Sequence, residues 1–311
     1  MQVQEGYVKA VNLENKLYYR AVGSGDITLL AVNGIGVSTI FWKYIQDYMQ
    51  YKYRFITMDY IGHGRSEEPD DLKHMTIENM AKDANRVLEE LKIDKAVLLG
   101  HSMGSQVIFE FYRLFPDKVL GLVPTLGSFG HPVYTFFDSE YSIFLYYAGV
   151  FLMGNFPKAL NKITSILLQP KFMKELIIKI GGKISLINPV LIPKHDIFQY
   201  LEHVARVDKK VFGYLMKSMQ EHTAEDLLPK IKTPVFIIAG DMDIFTPVKL
   251  SEDMHKMIPN SQLLILNGGS HAALIEQPEL INCRLEKFIE NDVKKQLKKS
   301  RGKVQRKKDG K

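Results

Sequence analysis

Ser102 stands at the centre of Gly100-His101-Ser102-Met103-Gly104, straight after an apolar run at 96–99 and straight before a helical pattern at 105–115. A strand that turns sharply into a helix lifts its central serine hydroxyl off the end of a sheet, where it can attack an electrophile. The two glycines answer a steric demand, because side chains two positions either side of so tight a turn would collide. Gly-x-Ser-x-Gly alone arises by chance in about one chain in ten of this length, so the surrounding pattern carries the reading. A serine hydroxyl is a weak nucleophile at neutral pH; it needs a base to take its proton and a third group to orient that base. Both are on offer at later strand ends. Asp241 and Asp243 follow the apolar run 235–239, and His271 closes Asn267-Gly268-Gly269-Ser270-His271 after the run 263–266.

Of the nine histidines, His271 alone follows the final strand on a glycine-rich loop. His101 lies inside the serine turn and is expected to pack or hydrogen-bond beside the nucleophile. His63 sits in a Gly-flanked loop with a structural reading, and His131, His195, His203 and His222 fall in or near a later insertion as packed or solvated groups.

Side chains so far apart need a framework to gather them. Alternation at 7–12 and 16–22 predicts a hairpin with Glu14-Asn15 near its turn. Apolar runs of strand length follow at 27–32, 54–58, 96–99, 119–123, 235–239 and 263–266, mostly alternating with helical patterns at 39–49, 77–91, 105–115, 247–257 and 278–293. Continuous apolar strands separated by helices indicate an α/β class, with a parallel sheet buried from both faces. Loops carrying chemistry gather at the carboxyl edge of such a sheet. One connection, from 123 to 235, is too long for a plain crossover. Its large apolar residues at helical spacing, such as Phe198, Leu201, Val204 and Ala205, predict an inserted helical subdomain. The expected division is a core of 1–127 and 226–293, a cap of 128–225 and a flexible basic tail of 294–311.

The order Ser102, acid, His271 resembles that of the capped α/β-hydrolases, and the likeness extends to Asn33-Gly34-Ile35-Gly36 after the third strand and Asp59-Tyr60-Ile61-Gly62-His63-Gly64-Arg65-Ser66 after the fourth. The resemblance implies an α/β-hydrolase fold, a mostly parallel central sheet with helices on both faces and an inserted helical cap. It selects Asp243 over Asp241 as the third catalytic group, leaving Asp241 to brace its loop or meet solvent. It also implies an oxyanion hole made by the backbone N–H groups of Ile35 and Met103. Asn33 departs from the family pattern, which often has histidine there; the loop must be braced differently, while the backbone donor is unaffected. Ser102 sets the chain apart from the dehalogenase and epoxide-hydrolase branches, whose nucleophile is an aspartate.

The activity implied is that of a serine esterase or lipase-like enzyme, cleaving a carboxylic ester with no metal or organic cofactor. Tyr134, Phe136, Phe137, Tyr141, Phe144, Tyr146, Tyr147 and Phe151 suggest that the cap forms an apolar acyl chamber for a lipophilic small-molecule substrate such as a monoacylglycerol or lysophospholipid. Two other readings share the fold. A carbon–carbon bond hydrolase would need polar cap groups for a diketo acid, for which Lys158, Lys162 and Lys194 are the candidates; a non-enzymatic ligand-binding protein would not need an intact Ser102, Asp243 and His271.

Charge narrows the partners. The net charge is +6, but 292–311 holds ten Lys and Arg against two Asp, leaving −2 on the rest of the chain. No basic, aromatic-studded face marks the body, which excludes nucleic acid as a substrate. The tail is expected to be a solvated end, or else a peripheral contact for anionic membrane or for nucleic acid. The single cysteine, Cys283, excludes an internal disulfide framework and, with no apolar signal core at 1–10, predicts a cytoplasmic setting. The uncharged stretch 141–157 is broken by Gly149, Gly154, Asn155 and Pro157 and is too short for a membrane span.

Overall fold

The computed structural model describes residues 3–134 and 141–299 of the chain. Alternating apolar residues make the opening hairpin. Strands β1 (Val3–Lys9) and β2 (Lys16–Val22) pair antiparallel, with Val3 opposite Val22 and Lys9 opposite Lys16. Six more strands follow: β3 (Thr28–Val32), β4 (Arg54–Met58), β5 (Ala96–His101), β6 (Val119–Thr125), β7 (Val235–Gly240) and β8 (Ser261–Leu266). They form one sheet in the order β1-β2-β4-β3-β5-β6-β7-β8. The β2–β4 pairing is antiparallel and all later pairings are parallel.

The continuous apolar runs are explained by two cores. Alternate residues point to opposite faces, so Leu30, Leu98 and Ile237 enter one cluster while Leu29, Val97 and Phe236 enter the other. Helices α1 (Lys43–Met49), α2 (Ile77–Glu90) and α3 (Met103–Leu114) follow the early strands. The long connection after β6 holds α4 (Ser142–Asn155), α5 (Pro157–Leu168), α6 (Lys171–Lys183), α7 (Lys194–Arg206) and α8 (Lys209–Glu221). After β7 come α9 (Val248–Met257), α10 (Ala273–Glu276) and α11 (Pro278–Phe288). Helices α2, α3 and α9 cover one face of the sheet; α1, α10 and α11 cover the other. This is the α/β-hydrolase architecture.

The inserted helices are tied to the core at several points. Asp196 on α7 is buried, pairs with Lys43 and accepts from the Tyr44 hydroxyl at 2.7 Å. On the other side the Ile77 N–H donates to Ser218 Oγ at 2.9 Å, and Gln106 Nε2 donates to the Met219 carbonyl at 2.9 Å.

Several boundaries differ from expectation; the first strand, expected over 7–12, is β1 at Val3–Lys9. The helix expected over 39–49 is a 3-10 turn, Thr39–Trp42, followed by α1, because Trp42 leaves the helical region with φ −92° and ψ 2°. Residues 294–299, expected within the flexible tail, are helical: α11 passes through a π turn, Ile289–Val293, and helix continues over 294–299. Arg301, Lys303, Arg306, Lys307, Lys308 and Lys311 lie outside the described residues. Val293 is fully buried against β6, where Gly121 leaves it room; a Cβ there would lie 3.1 Å from Val293 Cγ2. Truncation after residue 292 is therefore expected to cost about 2 kcal/mol, lowering Tm by about 4–8 °C. Truncation after residue 299 leaves every described contact in place, and thermal unfolding of the two shortened chains distinguishes these outcomes.

Candidate active site

The turn between β5 and α3 holds Ser102 at φ 54° and ψ −120°, a conformation a side-chain-bearing residue adopts only under constraint. The constraint is visible. The Ser102 N–H donates to the Thr125 carbonyl at 3.0 Å, its carbonyl accepts from the Ser105 N–H at 2.9 Å, and Ser105 Oγ donates to the Gly100 carbonyl at 3.0 Å. A Cβ on Gly100 would lie 2.3 Å from the Gly104 carbonyl oxygen, and one on Gly104 would lie 2.7 Å from that of Val32. Both glycines are thus required by backbone contact, and the start of α3 sits directly on the end of β3.

The loops after β7 and β8 are laced together. The Met242 N–H donates to the Gly269 carbonyl at 2.9 Å, and Asp241 Oδ1 accepts from the Gly268 N–H at 2.7 Å. Asp241 is a brace, as one of its two expected roles allowed. Behind the second loop, Glu276 accepts from the Ser270 N–H at 2.9 Å, the Ser270 hydroxyl at 2.6 Å and the Asn188 N–H at 2.7 Å. Asn188 also donates from Nδ2 to the Gly268 carbonyl at 2.8 Å. Burial raises the Glu276 carboxyl above its usual range.

This lacing brings three distant side chains into a line. His271 Nε2 lies 3.0 Å from Ser102 Oγ, and His271 Nδ1 lies 2.8 Å from Asp243 Oδ2. A carboxylate only accepts, so Nδ1 carries the proton and Nε2 is left to accept from the serine hydroxyl. Asp243 is buried and accepts in addition from the N–H groups of Phe245 and Thr246 at 2.9 and 3.0 Å and from the Thr246 hydroxyl at 2.7 Å. Burial alone would raise its carboxyl; His271 and the Thr246 bonds outweigh it and hold the group below its usual value.

His101 packs beside this line, as expected from its position. Its Nε2–H donates to the His271 carbonyl at 3.0 Å, and its ring lies against Phe41 with centroids 4.6 Å apart. Burial, reinforced by His271, pushes it down to about 3 and keeps it neutral. The other histidines serve elsewhere: His203 contacts Ser38, His222 contacts Glu110, and His131 Nδ1 bonds to the Gln220 carbonyl, while His195 is exposed.

The loop after β3 approaches the serine closely, since a Cβ on Gly34 would lie 2.9 Å from Ser102 Cβ. Ile35 and Met103 line the same cavity as Ser102 and His271. Among the described residues, neither of their N–H groups donates to a protein acceptor. Asn33 braces this loop by donating from Nδ2 to the Met58 carbonyl at 2.8 Å. His63 does more than its structural reading suggested: its Nε2 accepts from the Gly36 N–H at 3.1 Å while Nδ1–H donates to the Ile61 carbonyl at 3.3 Å. Burial lowers His63 to about 4, so the acceptor nitrogen stays bare. Asp59 holds the flanks, accepting from the N–H groups of Thr39 at 2.7 Å and Arg65 at 3.0 Å, and burial raises it to about 6.

The cavity above Ser102 encloses about 200 Å³. Its cap side comes from Tyr200 and Val204 on α7 and Phe212, Met216 and Met219 on α8, with Phe245 closing one side. This corrects the expected chamber. Tyr141, Phe144, Tyr147 and Phe151 are exposed on the outside of the cap, and Tyr146 is buried in the seam between α4 and α8, its hydroxyl 3.3 Å from the Met216 carbonyl. Phe136, Phe137 and the Tyr134 side chain lie outside the described residues. Helix α4 is apolar all round, so its pattern marked no inner side. Lys158, Lys162 and Lys194 are also exposed, and none lines the cavity.

Comparison with known proteins agrees with this architecture. Residues 27–151 match a family model described as the alpha/beta hydrolase fold, and residues 213–299 match one described as TAP-like protein. An uncharacterized hydrolase, YugF of Bacillus subtilis, is 28% identical over 88% of this chain and 94% of its own length. Among solved structures, a bromoperoxidase from Bacillus anthracis superposes with a TM-score of 0.74 at 19% identity, covering 93% of this chain and 100% of that one. An esterase from Exiguobacterium antarcticum gives 0.71 at 20% identity, covering 92% and 99%. The first family match ends within α4 and the second begins within α8, and the chain belongs to the α/β-hydrolase superfamily.

Proposed function

We propose that this hydrolase cleaves carboxylic esters carrying a lipophilic acyl group, with Ser102 as nucleophile, His271 as general base and acid, and Asp243 orienting His271. The observation that carries the reading is the unbroken line from Ser102 Oγ through His271 to Asp243, at 3.0 and 2.8 Å, on the floor of an apolar cavity. Ser102 Oγ bonds to the acyl carbon as its proton passes to His271 Nε2, and the carbonyl electron pair moves onto oxygen. The N–H groups of Ile35 and Met103 receive that charge; such donors contribute about 3–4 kcal/mol each. The carbon–oxygen bond to the alcohol then breaks, with the alcohol taking the proton from His271. Water, deprotonated by His271, repeats the sequence and releases the acid.

The cavity of about 200 Å³, lined largely by apolar side chains, supports a lipophilic acyl group. Among the described residues its cap side offers no cation to a diketo acid, which favours ester over carbon–carbon bond cleavage. Labelling by a fluorophosphonate probe and a series of p-nitrophenyl esters test this. Labelling at Ser102 and a rate maximum near butyrate to octanoate are expected. A rate that peaks at acetate and vanishes by octanoate overturns the lipophilic acyl group; absence of labelling overturns the serine mechanism.

His63 acts here as a positioning residue. His63→Leu is expected to lower kcat about 10–100-fold with KM little changed, because a small displacement of the Ile35 donor is felt mainly in the transition state. His63→Gln, which keeps an acceptor for the Gly36 N–H, restores part of the loss. Equal losses in both variants, or a change confined to thermal stability, contradict this role.

A further inference from the structure

The outside of the cap is apolar where a helix facing water is polar. Phe144, Leu145, Tyr147 and Phe151 on α4, Ile166 on α5 and Phe172 on α6 are each 59–71% exposed. Helix α4 carries no charged residue and buries only Ser142 and Tyr146 among its described side chains. On α6 the residues four apart form ridges. One exposed ridge is Phe172, Leu176, Ile180 and Ile184; the ridge beside it is Lys171, Glu175, Lys179 and Lys183. On α5, Lys158 and Lys162 lie on the same exposed side as Ile163, Ile166 and Leu167. So many exposed large apolar residues on three helices that pack in succession mark a binding face.

Charge identifies what binds. Lys158, Lys162, Lys171, Lys179 and Lys183 are exposed, and among the described residues none of them forms an ion pair. Glu175 is the only acidic residue in these three helices. A second copy would set like charge against like across a two-fold interface, whereas anionic headgroups satisfy the lysines as lipid chains take up the aromatic and aliphatic groups. Among the described residues, no single helix is long and apolar enough to cross a membrane. With 14 residues α4 reaches about 21 Å, short of a hydrocarbon core of about 30 Å, and its junction with α5 bends by 106°.

We propose that the outer face of α4, α5 and α6 docks the protein on an anionic lipid surface, its apolar residues entering the headgroup boundary and its five lysines lying at headgroup level. This contact is distinct from the basic tail and independent of the ester reading.

Cosedimentation of the full chain with phosphatidylcholine vesicles containing about 30% phosphatidylserine tests it. The full chain is expected to sediment with these vesicles and to bind pure phosphatidylcholine less strongly. The variant F144S/F151S/F172S is expected to lose at least about tenfold in vesicle affinity, with unchanged circular dichroism. K158E/K162E is expected to weaken binding at low salt and less at high salt. Truncation after residue 299 keeps most of the binding. The proposal is overturned if the full chain stays in the supernatant, if the triple variant binds as well as the parent, or if truncation after residue 299 alone removes binding. Concentration-dependent dimerisation abolished by the triple variant, without vesicle binding, assigns the face to a second copy and overturns it too.

Discussion

Ser102→Ala is expected to lower kcat/KM for a medium-chain p-nitrophenyl ester by about a million-fold and to abolish fluorophosphonate labelling, with the fold intact. In the proposed reaction the hydroxyl alone forms the bond to the acyl carbon, and its neighbours cannot substitute. His101 is the nearest other nucleophile in the turn, but it is buried and its Nε2 is committed to the His271 carbonyl. His271→Ala is expected to fall to a similar floor, and the double variant scarcely further, because nucleophile and base act as one unit. Residual activity within about a hundredfold of the parent would mean that ester cleavage takes place elsewhere.

Replacing Asp243 with Asn is expected to cost about ten-thousand-fold in kcat. The carboxylate fixes the proton of His271 on Nδ1 through the 2.8 Å bond. An amide in its place can donate to Nδ1, which moves the proton to Nε2 and turns the base away from accepting from Ser102. The contrast with the neighbouring aspartate makes the test sharp. Asp241→Asn keeps an oxygen that can accept from the Gly268 N–H at the solvent-exposed side of the loop and is expected to change kcat less than about tenfold. Steady-state kinetics on the two variants decide which aspartate serves His271; equal losses would reject the assignment.

The framework was legible because its signals are local and strong. The run 54–58 became β4 with the same limits, and the glycines at 100 and 104 announced the turn that their backbone contacts demand. The meeting of Ser102 and His271 was readable from their loops. Other parts depend on packing that no single segment encodes. Glu276 lies in a one-turn helix and looks like any surface acid until the fold folds it back on Ser270. His63 likewise acquires its partner, the Gly36 N–H, only when two strand-end loops meet. The cap aromatics misled for a physical reason: hydrophobic content reports that a residue avoids water, not which neighbour replaces the water. On α7 and α8, where apolar and polar residues segregate, the inward side includes the cavity lining; on α4, where they do not, composition pointed to the wrong side.

The two bonds from Asn188 give the cap a hold on the loop of His271. Residue 188 belongs to the stretch between α6 and α7, yet it grips both Glu276 and the Gly268 carbonyl, on either side of the glycine-serine link that leads to His271. Loss of these two bonds would free the segment that carries His271, so its placement opposite Ser102 depends in part on a residue of the insertion, far from either in the chain.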